Sequence, residues 1–563
     1  MMALMLAAAM TVGTTSSMTA AFPRRGESVG PAESCGVRLA RNEKESVQVL
    51  VTSASRDLKG VRVSVGDLMS STAKFASDNV DCDVVGYVDA KFVKSKRFTD
   101  DSISTAVTVP TNTPAGYMRK AVLAKDGWYP DPILDFLDAV DVAKGDVQAF
   151  WIRVRCPENQ PAGVYRGTLT VSVREPAMER TLPFTVRVNG FAVPKVSPLP
   201  LAVTWMPMAK GRDDSPEEKA AEAALKADPE GPIALANARQ MEWAEFLADY
   251  YITFDSLYTR TNLNWEVLTR LRDTGRLGLF NLGYWAPIAG TNAADEVKWR
   301  DETLGRLRRN YDRAKELGIL DRAYVYGSDE LPAEKFEAMR RSVKILREEL
   351  PGVPISTTAN DGQYGVGTPL DCLDWFTPIT SDFDPVRAAR SRARGHQVWW
   401  YFCLWPGSPW PNAFIQCPPL DLRMFMGAQS VRMRPDGFLY YELTVWNSRR
   451  PITSGPFTDW SARSWVTLNG DGCWTAVGPG GRPLPTQRLE NFRDGLEDYA
   501  YAMKLERRLA ARPHGAWAAK AKALLAVPVR VMETMTNFTG DPREVLAWRD
   551  AMADLIDADG ERE

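Results

Sequence analysis

Two rhythms of apolar and polar residues divide this chain. After residue 30, apolar positions recur every second residue in short runs rich in Val and Thr: Ser46–Thr52, Leu58–Val65, Phe150–Cys156, Gly167–Val173 and Leu182–Val188. That spacing predicts β-strands, because alternate side chains of an extended chain face opposite sides. Turn signals such as Pro161-Ala162-Gly163 separate the runs, and the pattern predicts a β-sandwich over residues 30–196. From Leu201 the rhythm changes. Strand-like runs at Leu201–Met206, Ile252–Tyr258, Leu277–Tyr284, Ala323–Tyr326, Ile355–Thr358, Trp375–Ile379, Gln397–Cys403 and Phe438–Tyr441 alternate with stretches of helical period. Repeated strand–helix units imply a parallel sheet, and their number predicts a central (β/α)8 TIM-type barrel over residues 197–480. Helical periodicity at Gln487–Arg512, Trp517–Leu525 and Glu544–Leu555 predicts a C-terminal helical segment over 485–563. The fold class expected is therefore multidomain: sandwich, barrel, helices.

Candidate chemistry sits at strand ends. The run from Ala323 stops in Asp329 and Glu330, and a helix opened by Pro332 follows, with Phe336, Met339, Val343 and Leu346 on one face. The C-terminal tip of a strand is where α/β barrels carry their reactive groups. Glycoside cleavage divides labour between a carboxyl that carries a proton and a carboxylate that stays charged. An N-capping acid followed by a first-turn Glu gives the same pattern with no chemistry attached. Glu442 lies at another strand tip, about three units later. A conventional retaining pair Glu330/Glu442, with carboxyl groups about 5–5.5 Å apart, is thus a rival arrangement. Eighteen tryptophans invite a sugar-stacking reading, although most Trp in any fold is packing. Trp400 and Tyr401 on the strand ending at Cys403 are the first candidates for substrate contact, joined by Tyr441 at the end of the last strand and Trp446 just past it. Trp285, Trp405 and Trp410 are placed similarly. Asn360 is either a hydroxyl-binding residue or a turn residue before Asp361-Gly362.

Composition narrows the alternatives. The 563 residues are too many for one core. Sixty-nine basic and 71 acidic residues give a net charge of −2, which offers no case for nucleic acid or an anionic membrane. Two histidines in the whole chain make zinc sites and His-based triads hard to assemble. Seven scattered cysteines, an odd number, indicate no disulfide framework. No nucleotide-binding glycine pattern or serine-hydrolase elbow exists, so no cofactor is expected. The apolar run from Met1 to Val12, followed by small residues to Ala21, resembles a secretory leader over 1–21 and predicts a secreted or periplasmic protein. No later segment is long enough to span a bilayer.

Several segments, in order, resemble glycoside hydrolase family 123 and its widespread relatives of unassigned activity. They are Arg41-Asn-Glu-Lys-Glu45-Ser-Val-Gln48, Gly127-Trp-Tyr-Pro-Asp-Pro132, Phe150–Pro157 with Pro161–Gly167, the Asp329-Glu330 pair, Pro435–Tyr441 with Trp446-Asn447, and Arg488–Tyr499. The resemblance covers nearly the whole chain. It implies an exo-acting β-N-acetylgalactosaminidase with a sandwich before a barrel, a carbohydrate partner and a substrate-assisted retaining mechanism. Glu330 would protonate the glycosidic oxygen and later activate water, while Asp329 would hold the 2-acetamido group as its carbonyl oxygen attacks the anomeric carbon. The sequence departs from the family's pattern where Leu331 intervenes before Pro332, and in Gly327-Ser328 ahead of the pair. A non-catalytic carbohydrate-binding envelope protein is the rival from another class.

Overall fold

The computed structural model describes residues 10–27, 29–91, 126–407, 409–465 and 468–558. The N-terminal part is sheet-rich. One antiparallel sheet runs in the order Thr11–Ser16, Lys44–Thr52, Val147–Arg155, Val80–Ala90 and Gly127–Leu134. The second orders Cys35–Arg41, Met178–Ala192, Gly163–Glu175, Leu58–Val65 and Val140–Val142. Alternation does the work expected of it: Leu182, Phe184, Val186 and Val188 point into the core, and the residues between them do not. The sheets share one apolar core through side chains such as Val49, Val51, Val84 and Leu169.

The stretch read as the end of a leader has a structural role. Thr11–Ser16 pairs antiparallel with Lys44–Thr52, Thr11 opposite Thr52, and buries Val12 completely. Its Thr-Val-Gly-Thr-Thr-Ser sequence is β-branched and suits an edge strand. Residues 1–9 lie outside the described residues. A cut after Ala21 would remove this strand from the sheet.

The central part is built of parallel pairs, but the regular closed ring expected for residues 197–480 is not what the pairing gives. Five strands, Phe280–Trp285, Ala323–Gly327, Ile355–Thr357, Trp375–Phe376 and Gln397–Val398, form one parallel sheet. Leu201–Val203, Phe438–Tyr440 and Trp400–Tyr401 form another. The expected strand at Ile252–Tyr258 contributes only an isolated bridge, Thr204 to Asp255. Side chains explain the interruption. Asp255 accepts from the Asn281 backbone (2.8 Å), and the Asn281 amide donates to the carbonyls of Ser256 and Leu257 (3.0 and 2.9 Å), occupying groups a backbone ladder would use. Inside these strands lies a separate aromatic cluster, including Tyr324, Tyr326, Trp375, Trp399 and Tyr401.

The C-terminal helices Gln487–Ala511, Gly515–Leu525 and Pro542–Ala558 do not form a peripheral cap. From Gln487 to Ala502 every residue of the first helix is buried, although the sequence is heavily charged. Those charges are paired internally. Arg423, from the helix beginning at Leu420, bridges Glu45 of the N-terminal sheet (2.9 Å) and Asp498 of the long helix (2.9 Å). Arg549 joins Glu43 to Asp498, and Arg153 reaches Glu490 (2.7 Å). One buried ionic network therefore ties all three parts together.

Candidate active site

The strand Ala323–Gly327 delivers the acid pair through a tightly constrained turn. Gly327 packs so closely on Trp285 that a Cβ there would sit 1.9 Å from the Trp285 carbonyl oxygen. Ser328 and Glu330 then adopt left-handed backbone with φ of 56° and 48°, uncommon for non-glycine residues and concentrated at functional sites. The turn sends the Asp329 and Glu330 side chains to the same cavity, with Asp329 half-buried and Glu330 exposed.

Hydroxyl groups fix both. Asp329 Oδ1 accepts from Tyr326 Oη (2.5 Å) and Thr358 Oγ1 (2.7 Å), and Oδ2 accepts a longer bond from Tyr258 Oη (3.4 Å). Burial, together with the adjacent acids, pushes the Tyr258 and Tyr326 hydroxyls well above their ordinary range, so both stay protonated donors. Thr358 Oγ1 also accepts from the Glu330 backbone N–H (3.1 Å), and Tyr401 Oη donates to Glu330 Oε1 (2.6 Å). The cavity holds about 360 Å³, within the range of about 300–1,000 Å³ usual for small-molecule sites. Trp465 and Met206 line it as well. Among the described residues no group of His, Cys, Asp and Glu could hold a metal ion.

Two further acids line the same cavity. Glu442 is buried, and its Oε1 accepts from the backbone N–H groups of Leu443 (2.8 Å) and Thr444 (2.7 Å), from Thr444 Oγ1 (2.5 Å) and, at 3.4 Å, from Met206 N. Its Oε2 has no partner. Burial outweighs these donors and raises the carboxyl to about 8. Asp471 is fully buried between Gly470 (φ 91°) and Gly472 (φ 67°), and burial lifts it to about 7. Tyr440 Oη donates to Asp471 Oδ1 at 3.0 Å. The Tyr441 hydroxyl lies close enough to favour the charged form, yet neither it nor Asp471 Oδ2 completes a hydrogen bond of good geometry. Arg488 holds this loop: it is paired with Asp131 and donates to the carbonyls of Ala413, Gly470 and Cys473.

The other expected contacts divide. Tyr401 and Tyr441 line the cavity. Trp400 does not; it is buried against Phe425 with ring centroids 4.7 Å apart. Side chains alternate along a strand, so Trp399 and Tyr401 share the inner face and Trp400 takes the outer one. Trp446 is also core, packed on Trp243 with its indole N–H donated to the Thr475 carbonyl (3.1 Å). Asn360 donates its side-chain amide to the Glu330 carbonyl (3.2 Å) and does not line the cavity. Trp285 is fully buried. Residues missed by the sequence reading are Tyr258, Tyr326, Thr358, Trp465 and Asp471. The acid flanked by glycines in Gly470-Asp471-Gly472 was the available signal.

Family models of the glycoside hydrolase 123 N-terminal domain and catalytic domain match residues 36–173 and 293–504. The chain belongs to glycoside hydrolase family 123. A solved family 123 glycoside hydrolase from Clostridium perfringens, described in a study of glycolipid glycan hydrolysis, is similar along its length. Identity is 12%, coverage 98% of this chain and 97% of that one, and the TM-score 0.66. That likeness speaks to the fold. A glycosyl hydrolase family 2 member from Bacteroides cellulosilyticus (10% identity, 78% and 49% coverage) and β-glucuronidase 3 of Bacteroides uniformis (8%, 86% and 51%) reach TM-scores of only 0.26 and 0.28. No curated protein matches the chain. This family 123 chain is accordingly a glycosidase whose family acts on carbohydrate, and among the described residues no helix is long and apolar enough to cross a membrane.

Proposed function

We propose that this family 123 protein is an exo-acting glycosidase that removes a terminal β-linked N-acetylhexosamine, N-acetylgalactosamine favoured, by a retaining, substrate-assisted mechanism. The observation that carries the reading is the convergence of adjacent carboxyl groups, Asp329 and Glu330, on one cavity of single-sugar scale, each anchored by hydroxyl donors. In the first step Glu330 gives its proton to the glycosidic oxygen as the bond from that oxygen to C1 breaks. The acetamido carbonyl oxygen forms a bond to C1, and Asp329 accepts the acetamido N–H and steadies the positive charge. In the second step Glu330 takes a proton from water, the water oxygen bonds to C1, and the acyl oxygen leaves. Two inversions retain the configuration. The sugar supplies its own nucleophile, so the protein needs only one acid and one anion at neighbouring atoms of one ring.

The rival in which Glu442 is the nucleophile is weaker. Glu442 Oε1 is engaged by four donors, and a carboxyl raised to about 8 is protonated at neutral pH. As part of the same reading, the two parallel sheets and the Thr204–Asp255 bridge make up one interrupted eight-fold barrel with the cavity at its carboxyl end. The glycan of a glycolipid, the substrate class named for the Clostridium perfringens relative, is a fitting natural target. Export belongs to the proposal too. A mature protein recovered outside the cytoplasm and processed near the end of residues 1–21 supports it, and an intact Met1 in the cytoplasm refutes it.

Aryl β-N-acetylgalactosaminide, β-N-acetylglucosaminide and β-galactoside substrates test the chemistry with wild type, Glu330→Gln and Asp329→Asn. Losing a general acid lowers kcat by about 10²–10⁴, so a drop of that size in Glu330→Gln is expected. Equal turnover by all three proteins would overturn the assignment.

A further inference from the structure

The cavity is lined by four acids, Asp329, Glu330, Glu442 and Asp471, and by no Lys, Arg or His among the described residues. The acids come from the ends of different strands. In the parallel strand order, Ala323–Gly327 and Phe438–Tyr440 are separated by Ile355–Thr357, Trp375–Phe376 and the segment Gln397–Tyr401. In the interrupted barrel proposed above, that order sets Glu442 on the wall opposite the acid pair, with Asp471 beside it through its bond from Tyr440. Their two oxygens have opposite fates. Glu442 Oε1 is saturated by protein donors, whereas Oε2 is buried without a partner, and Asp471 repeats the pattern with Oδ1 bonded to Tyr440 and Oδ2 short of a full bond. A buried polar atom left unpaired destabilises the fold. It is satisfied once a ligand supplies the missing group.

We propose that Glu442 and Asp471 bind the hydroxyl groups of the terminal pyranose at its C4–C6 end, and that they select an uncharged hexosamine over one carrying a sulfate or carboxylate there. The inference rests on the reading of Asp329 and Glu330 above. If that pair engages C1 and the C2 substituent, the opposite end of the ring meets the opposite wall. One oxygen of each carboxyl is held rigid by the protein, so the free oxygen is oriented before substrate arrives. A sulfate at C6 would bury its charge against a wall lined by no Lys, Arg or His, a desolvation cost that a neutral hydroxyl escapes. A site built to bond a hydroxyl also rejects the analogue lacking it, by about 10⁴-fold or more in favourable cases. Glu442 and Asp471 are then specificity-determining residues and not reacting groups.

The test compares intact wild type, Glu442→Gln, Glu442→Leu and Asp471→Asn on aryl β-N-acetylgalactosaminide, its 6-sulfate and its 6-deoxy analogue. Circular dichroism and melting midpoints first establish that each variant is folded. Wild type should process the sulfated substrate at least about 100-fold less efficiently than the parent. In Glu442→Leu, KM for the parent should rise about tenfold or more while kcat changes far less, and the preference for the parent over its 6-deoxy analogue should collapse, whereas Glu442→Gln and Asp471→Asn, which keep a neutral hydrogen-bonding group, should stay within about threefold of wild type. A kcat loss above about 1,000-fold in Glu442→Gln, restored by azide, would overturn the proposal and make Glu442 a nucleophile. Equal efficiency on parent and sulfated substrates would overturn it as well. If wild type cleaves only the plain galactoside, the acetamido mechanism fails, and the KM effects measured on that galactoside still decide the roles of Glu442 and Asp471. If no glycoside is cleaved, calorimetric titration with free N-acetylgalactosamine and its 6-sulfate decides. Binding of the neutral sugar alone, lost in Glu442→Leu, supports the proposal, and binding of neither or of both equally ends it.

Discussion

Replacing Glu442 with Gln preserves the shape of the side chain and abolishes its proton equilibrium, which makes the cost of burying this acid measurable. Burial raises the carboxyl from 4.5 to about 8, against the opposing pull of its bonds to Thr444, Leu443 and Met206. Between those two pH values the folded protein holds a proton that the unfolded chain has released. Stability contributed by the neutral form is therefore complete below pH 4.5 and declines as pH rises, until the folded group also ionises near pH 8. At about 1.4 kcal/mol per pH unit, the loss across that window is on the order of 4 kcal/mol. Gln mimics the protonated acid, accepting the same four hydrogen bonds at its amide oxygen, and escapes the penalty. Melting midpoints of wild type and Glu442→Gln should nearly coincide at pH 5 and separate progressively up to pH 8.5, with the variant higher by several degrees at the alkaline end. Matched ionic strength keeps surface charge from contributing. A gap that stays constant from pH 5 to 8.5, or one that favours wild type as pH rises, would refute the argument that Glu442 is buried as a neutral acid.

Three further outcomes follow from the geometry. Tyr401→Phe deletes the 2.6 Å bond to Glu330; one such bond contributes about 1 kcal/mol, so kcat on an aryl glycoside should fall roughly five- to tenfold with the melting midpoint little changed. Arg423→Ala leaves Glu45, Asp494 and Asp498 without their shared cation, and breaking a buried network by removing one partner costs about 3–5 kcal/mol; denaturant titration should show a sharply lower midpoint. Deleting residues 1–21 strips the strand Thr11–Ser16 from Lys44–Thr52, and calorimetry should show a lowered transition that a deletion ending before Thr11 does not produce.

Much of this was readable before any coordinates, and the failures have physical causes. The Asp329-Glu330 pair stood out because a buried strand rarely ends in two acids, and its cavity placement depends mainly on local backbone. The partners of that pair were invisible for a different reason. Tyr258, Tyr326 and Thr358 come from three separate strand-end segments, and only their convergence makes a hydroxyl cage. Trp400 was misjudged because composition says nothing of parity: one position along the strand exchanges the interior for the outer layer. The run Ile252–Tyr258 looked like a strand, yet Asn281 and Asp255 substitute side-chain bonds for a ladder, which apolar periodicity does not encode. Likewise the helical period from Gln487 was legible but its burial was not, because its acids are met by Arg423, Arg153 and Arg549 from other elements and by Arg493 of the helix itself.

That helix has a bearing on how the enzyme could be trimmed or recombined. Arg488 near its start braces the loop that presents Asp471 and at the same time grips Asp131 of the N-terminal sheets, and a turn further on Glu490 and Arg493 enter the same web of charge. Excising the sheets to obtain a minimal sugar-cleaving core would orphan several cations and anions at once and slacken one rim of the pocket. The two halves are neither portable nor interchangeable parts; whatever sugar this pocket takes, its outline is drawn partly by a domain whose described residues do not line it.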